Sequence, residues 1–403
     1  MTLSAMIRAP LPLLLACAPP SGPPTEVDLS SLSLRWILDD QLSAEEVRVG
    51  LDWNLGLLSA LPPAGGEHLE ITEDGEQLRI LLHVEQAGFP ERAEAALTDA
   101  LQELRESEEL AQTGAVDLGR LFMLTLHEPW RYYSISGACA DYWAWSGARL
   151  PQARDRYDVV VSLIAPGERV VLLPEAEHPV QRLAFGMATG QSALGEDWRP
   201  AEFETIDLME NGQQRFATYD GQGRLQPWAD PEVVAAGQPG RCIWCHEGNL
   251  MFGTYENPSS EEAISYPEWE ARIFAWQDQL EAWRAALPTS IVYPDRHSHT
   301  LAERVVRDFA FPTPKRAARE WGLSEEEALR IVAERGLLLE EDSEWPDRGE
   351  VLRRAEVDAL LEELSGTPRL SVLSDPRLPV EGEPLRGEQW AGWLRCEPLG
   401  GAD

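Results

Sequence analysis

The stretch FETIDLMENGQQRFATYD, residues 203–220, constrains the fold of this chain more than any other. Two runs of strand-favouring residues flank Asn211-Gly212, a dipeptide suited to the positive φ angles of a tight hairpin turn. RYDVVVSLIAPGERVVLLP, residues 156–174, repeats the arrangement around Pro166-Gly167, and LEITEDGEQLRILLHV, residues 69–84, around Asp74-Gly75. Neighbouring hairpins predict antiparallel sheet in the N-terminal and central parts.

Helical spacing fills the rest. In FPERAEAALTDALQELRESEEL, residues 89–110, Ala93, Ala96, Leu97, Leu101 and Leu104 form one apolar stripe. DLGRLFMLTL, residues 117–126, reads as a second helix or a buried strand. Trp269, Trp276 and Trp283 recur every seven residues, with Ile273, Leu280 and Leu287 nearby, so they share the face of a helix that covers the domain core. Further helices are expected around 300–309, 315–321, 324–336 and 349–365, with Ser324 and Glu327 as a capping box. The crowd of Trp130, Tyr132, Tyr133, Tyr142, Trp143 and Trp145 reads as aromatic core. The expected class is α+β: antiparallel and β-rich in the N-terminal and central parts with flanking helices, then mainly helical. The expected parts are α+β over 27–150, β-rich with a motif of interest over 151–260, and helical over 261–403.

Charge narrows the partners. The chain carries 34 basic against 69 acidic residues, a net charge of −35, so phosphate backbones repel it and nucleic acid is not an expected partner. TPKRAAREWGLSEEEALRIVAE, residues 313–334, has the cadence of a helix-turn-helix, but on so acidic a chain it reads as an ordinary helical hairpin. Lys315 is the only lysine.

The first residues, MTLSAMIRAPLPLLLACAPPSGPPTE, combine Arg8, a short apolar run and Leu14-Leu15-Ala16-Cys17. They resemble a bacterial lipoprotein signal peptide over 1–17, which implies acylation at Cys17 and a Pro-rich tether over 18–26. The resemblance implies a lipid-anchored protein of the periplasm or cell surface, on a Gram-negative outer membrane, with the lipid as its only membrane contact. In an oxidising compartment Cys139 and Cys396 form an even pair that suits a disulfide; two unrelated buried thiols are the alternative.

RCIWCHEGN, residues 241–249, places Cys242, Cys245 and His246 in the order Cys-x-x-Cys-His. This resembles the attachment sequence of c-type cytochromes. Thiols three positions apart meet on one helical turn and can add to the two vinyl groups of a single haem, while the next residue ligates the iron. The resemblance implies one covalent haem c on Cys242 and Cys245, with His246 as the proximal iron ligand. A thioredoxin-like pair wants a strand leading directly into the motif, whereas Gly237-Gln238-Pro239-Gly240 reads as a turn; a zinc site wants a second Cys or His pair at matching spacing. The competing class is a non-haem structural or binding lipoprotein with a Cys242–Cys245 disulfide.

The distal side of the iron is open in this reading. Met251 follows His246 by five residues, which span at most about 17–18 Å, hardly enough to round a macrocycle. His297 and His299, in PDRHSHTLAERV, are the distal candidates, although the segment also reads as a solvated turn. His68, His83, His127 and His178 carry no spacing signal, and Glu247 reads as a surface carboxylate beside the proximal histidine. A hairpin followed by a loop and Cys-x-x-Cys-His is also similar to the cytochrome P-460 family, whose c-type haem has an open face and a lysine cross-link. Here Lys315 lies well after the motif, so the cross-link and its nitrogen-oxide chemistry have no support. The expected role is electron transfer with a redox partner protein, or redox chemistry on a small ligand.

Overall fold

The computed structural model describes residues 30–38, 42–150, 155–159, 168–174, 183–190, 198–234, 237–246, 250, 263–293, 300–337, 340–341 and 348–372. Cys17 with its tether, His178, Glu247, Met251, His297, His299 and Cys396 lie outside these residues. The class is α+β, as the hairpin and helix patterns predict.

The N-terminal part runs β1 (Ser31–Ile37), α1 (Ala44–Leu57), β2 (Leu69–Asp74), β3 (Gln77–His83), α2 (Glu94–Arg105), α3 (Glu108–Thr113), β4 (Val116–Asp117), α4 (Leu118–Thr125), α5 (Pro129–Ser136) and α6 (Tyr142–Arg149). Its sheet has the order β2-β3-β1-β4, with β1 antiparallel to β3 and parallel to the short β4. The alternation of β1 and β3 places Leu32, Leu34 and Trp36 opposite Leu82, Ile80 and Leu78 on one buried face. The expected helix over 89–110 breaks in two at Ser107. Its hydroxyl accepts from the Leu110 amide at 3.2 Å and donates to the Leu104 carbonyl at 2.6 Å, ending α2 and starting α3. The segment after Asp117 is a helix, begun by the Asp117 carboxylate accepting from the Gly119 amide.

The central part is one six-stranded antiparallel meander: β5 (Asp155–Val159), β6 (Glu168–Leu173), β7 (Ala184–Gly190), β8 (Glu202–Leu208), β9 (Gln214–Asp220) and β10 (Leu225–Gln226). The β8–β9 turn forms where Asn211-Gly212 predicts it, with Gly212 at φ +80°. Asn211 also anchors the turn, since its side-chain amide donates to the Gly56 and Ala60 carbonyls at 2.7 and 2.6 Å. The 156–174 hairpin pairs as β5 and β6, while its Pro166-Gly167 turn is outside the described residues.

Helices follow: α7 (Pro239–His246), α8 (Tyr266–Arg284), α9 (Leu301–Ala310), α10 (Pro314–Trp321), α11 (Glu325–Arg335) and α12 (Arg354–Ser365), with the two-residue strands β11 (Glu340–Glu341) and β12 (Glu350–Val351) before α12. The tryptophan stripe of α8 covers the central sheet. Trp269 stacks on Tyr157 at 4.7 Å and Trp276 packs against Phe185 at 5.5 Å. The expected helix over 349–365 starts later, at Arg354, because Glu350 and Val351 pair with β11. The Ser324–Glu327 capping box forms, and Gly322 turns α10 into α11 at φ +69°. One continuous core runs from Leu32 to Val351 through all three parts, and a smaller one holds α10, α11 and α12 together through Trp321, Val332 and Leu361.

Close helix contact depends on Gly119. A Cβ there would lie 2.1 Å from the Cβ of Phe309, so α4 and α9 meet only because the side chain is missing. Gly119→Ala is expected to destabilise the fold by about 1–3 kcal/mol. A denaturant melt gives the difference, and an unchanged midpoint would show that α9 shifts aside freely.

Candidate functional site

The motif sits on α7. Pro239 opens the helix at a position where its missing N–H costs nothing, so Pro239 and Gly240 belong to the first helical turn rather than to the turn expected from the sequence. The start is tightly seated. A Cβ on Gly240 would lie 2.7 Å from His127 Nδ1 and 2.9 Å from the Leu126 carbonyl oxygen. The Gln238 side chain lies 3.3 Å from the same His127 nitrogen. His127 is fully buried, and burial pulls its pKa down to about 3, so at neutral pH it is an uncharged wedge between α4–α5 and α7.

Cys242 and Cys245 are one turn apart on this helix, and His246 ends it. Cys242 is a half-buried, reduced thiol packed against the main core. Its neighbours are the buried hydroxyls of Tyr132 and Tyr133, each of whose pKa values is raised chiefly by burial and further by the Cys242 charge. Those hydroxyls close the edge of β9: Tyr132 accepts from the Phe216 amide at 3.0 Å and Tyr133 from the Thr218 amide at 3.3 Å.

His246 is held by β9. Its carbonyl accepts from the Gln214 side-chain amide, and its ring lies 5.8 Å from Phe216, tilted by 38°. Burial pulls its pKa down to about 4, opposed by a backbone hydrogen bond at Leu250 and assisted by the positive charge of Arg169. The Leu250 amide donates in turn to the side-chain Oε1 of Gln277 on α8 at 2.9 Å. At neutral pH the imidazole is uncharged, the form in which a ring nitrogen binds a metal. A reduced thiol and a neutral imidazole are the chemical states that covalent haem attachment and iron ligation need, so the described donors fit that group.

The structure adds residues that the motif does not announce. Along the register, Phe216 faces Ile206 and Phe185, Thr218 faces Glu204 and Met187, and Glu202 faces Thr189 and Arg169. Arg169, Glu202 and Glu204 therefore share the sheet face that carries Phe216, and all three are buried. Arg169 Nη2 lies 3.7 Å from Glu204, and Glu202 accepts from the Asp230 amide at 2.6 Å. Burial, then the charge of Glu204, pushes the Glu202 pKa up to about 8; burial raises that of Glu204 against the pull of Arg169. The sequence signal was the polar alternation of Glu202 and Glu204 in a strand that leads toward the motif.

The other candidates separate. Cys139 is buried and disulfide-bonded, to a partner outside the described side chains, and its carbonyl accepts from the Tyr219 hydroxyl at 3.0 Å. Tyr132, Tyr133, Tyr142 and Trp145 are core, while Trp143 is 55% exposed. His68 is a buried histidine 2.8 Å from Asp52, and His83 lies 3.0 Å from Glu70. Among the described residues no group of three or more His, Cys, Asp or Glu side chains is placed to hold a metal ion, and no helix is long and apolar enough to cross a membrane.

Glu202 predicts a pH dependence. A carboxyl whose pKa rises from 4.5 to about 8 on folding binds its proton more tightly in the native state. Its contribution is complete below about pH 4.5 and is lost as pH climbs toward 8. Glu202→Gln keeps the acceptor for the Asp230 amide and removes the titration. Thermal melts at pH 5 and pH 9 are expected to show the variant stabilised at pH 9 by up to about 4 kcal/mol and nearly unchanged at pH 5. Parallel pH profiles for the two proteins would rule this out.

Family models, characterised proteins and solved structures offer no match to this chain, and the donor set on α7 is the guide to its chemistry.

Proposed function

We propose that the protein is an extracytoplasmic, lipid-anchored monohaem c-type cytochrome. Cys242 and Cys245 would hold haem c through thioethers, each thiol adding its S–H across one vinyl group, and His246 would ligate the iron. The observation that carries this reading is the end of α7: a reduced Cys242, Cys245 one turn on and a neutral His246 braced by Gln214 and Phe216. Haem bound there would supply a one-electron couple or a site for a small ligand, depending on the group opposite His246. Gln214 and Phe216 would fix the imidazole's position, and the sheet face behind it would limit water.

Acylated Cys17 would tie the protein to a Gram-negative outer membrane, on its periplasmic or outer surface, with no other membrane contact. The partner would be a redox protein or a small ligand, and the charge of −35 argues against nucleic acid.

A pyridine haemochrome spectrum tests the reading. Protein exported from a host competent in c-type maturation is expected to keep a c-type α-band after denaturation, at about one haem per chain. Cys242→Ala with Cys245→Ala is expected to abolish it. Colourless protein, from a host shown competent on a control cytochrome, would leave a non-haem lipoprotein. Non-reducing peptide mapping gives a second check. A Cys139–Cys396 bridge leaves both motif thiols available, whereas a Cys139–Cys245 bridge is incompatible with two thioethers.

The distal face is probed separately. A low-spin spectrum that turns high-spin in His297→Ala or in His299→Ala would identify the distal ligand. A low-spin spectrum unchanged in both variants would eliminate these histidines.

A further inference from the structure

The N-terminal sheet and the C-terminal helices line a half-open cavity of about 340 Å³. Its wall includes Arg35 of β1, Gln77 of β3, Thr113 at the end of α3, Arg319 and Glu320 of α10, and Arg369 after α12. Three guanidinium groups therefore meet one carboxylate along the lining. That carboxylate is already engaged: Glu320 lies 2.9 Å from Arg316 and 2.6 Å from Arg354. The nearest other anion, buried Glu109, is shared three ways. It takes a 2.8 Å bond from Arg35, lies 2.9 Å from Arg120, and stands 3.7 Å from Arg369, too far for a hydrogen bond.

Arg369 is the uncompensated member. Its side chain is 5% exposed, yet its Nε and Nη1 make no hydrogen bond among the described residues. Burial depresses its pKa, and the charges of Arg35 and Arg120 add to the depression against the pull of Glu109. Arg319 gives one nitrogen to the Leu38 carbonyl and sets another 3.3 Å from the exposed Glu76. A chain of net charge −35 thus keeps a concentrated positive wall along this cavity. Buried guanidinium groups left without acceptors are costly unless something supplies them. The planar guanidinium fork matches carboxylate and phosphate oxygens, and helix and sheet both present it here.

We infer that this cavity binds a small organic oxyanion, carboxylate- or phosphate-bearing, with Arg369, Arg35 and Arg319 facing its charged oxygens. The space equals roughly ten water volumes, enough for a charged head group and a few carbons. The inference is independent of haem. A ligand seated there would touch the first sheet and the last helices together, so binding is expected to raise the melting temperature as well as release heat.

The experiment titrates the full-length protein in low-salt buffer with inorganic phosphate and, separately, with succinate, by calorimetry and thermal melting. Saturable binding of either probe is expected, with sodium chloride of equal ionic strength giving no comparable rise in melting temperature. Phosphate alone, or succinate alone, would support the site and select its head group. Arg369→Gln is expected to weaken binding about tenfold or more. Arg319→Gln, at the half-exposed rim, serves as the second variant should the first fold poorly. Absence of saturable binding by both probes, or binding unaltered in folded Arg319→Gln and Arg369→Gln proteins, would overturn the inference.

Discussion

The central sheet is positioned by a buried ion pair between adjacent strands. Arg215 of β9 meets Asp207 of β8 through two bonds, at 2.8 and 2.7 Å, and its Nη1 reaches the Ser136 and Gly137 carbonyls at the end of α5. Asp207 also accepts from the Trp145 indole at 3.1 Å and lies 3.2 Å from Arg149, both on α6. The attraction outweighs burial, because the Asp207 pKa falls although desolvation alone would raise it. Removing either partner would leave a buried charge unmatched, at a cost of about 3–5 kcal/mol. The period of two along a strand makes this pair matter for the motif. Arg215 points to α5 and α6, so Gln214 and Phe216 point to the opposite face, where they hold His246.

The preference for arginine has a physical reason in the same interior. All but one of the 34 basic residues are arginine, and Arg120, Arg307, Arg316 and Arg354 are among the largest fully buried side chains. Arg316 lies 4.0 Å from the Trp36 ring centre while bonding Asp117 and Glu320 at 2.9 Å each. Arg354 sits 4.2 Å over Phe309 and reaches Glu320 and Asp358. A lysine ammonium offers neither the flat face for the ring nor the fork for two carboxylates. These pairs tie the first sheet to α10 and α12. The helix-turn-helix cadence over 313–334 thus belongs to a structural hairpin in which Arg316 faces inward and Arg330 faces solvent.

Local chemistry was readable in the sequence where it is self-contained. Asp74-Gly75 and Asn211-Gly212 turn hairpins because glycine accepts positive φ, and Ser324 with Glu327 caps a helix without outside help. The Cys242–Cys245–His246 spacing was visible for the same reason. Features decided by distant partners were not. Gly237-Gln238-Pro239-Gly240 looks like a turn in isolation, but Gly240 continues into a helix because His127 and Leu126 leave room there for a bare backbone only. Ser107 ends a stripe that apolar spacing alone would extend. Gln214, Phe216 and Arg169 reach the motif only after six strands have paired, and a net charge of −35 gives no hint of which carboxylates face which arginines.

The seam between the sheet and α7 resolves an apparent conflict in this chain. So acidic a protein would be expected to surround any interior site with negative charge. Instead, the burial that keeps His246 neutral also shifts Glu202 and Glu204 toward their protonated forms. Glu202, with its pKa near 8, is largely uncharged at neutral pH, and the negative charge of Glu204 is opposed by Arg169 at 3.7 Å. Arg169 in turn acts on the imidazole in the same direction as burial, against protonation. The face behind the motif thus carries little net negative charge, and elsewhere in the interior carboxylates such as Asp207 and Glu109 are matched by arginines. A neutral nitrogen donor beside such a wall stays available to a metal over the pH range above about 4, so the sheet contributes to the chemistry of the motif as well as to its position.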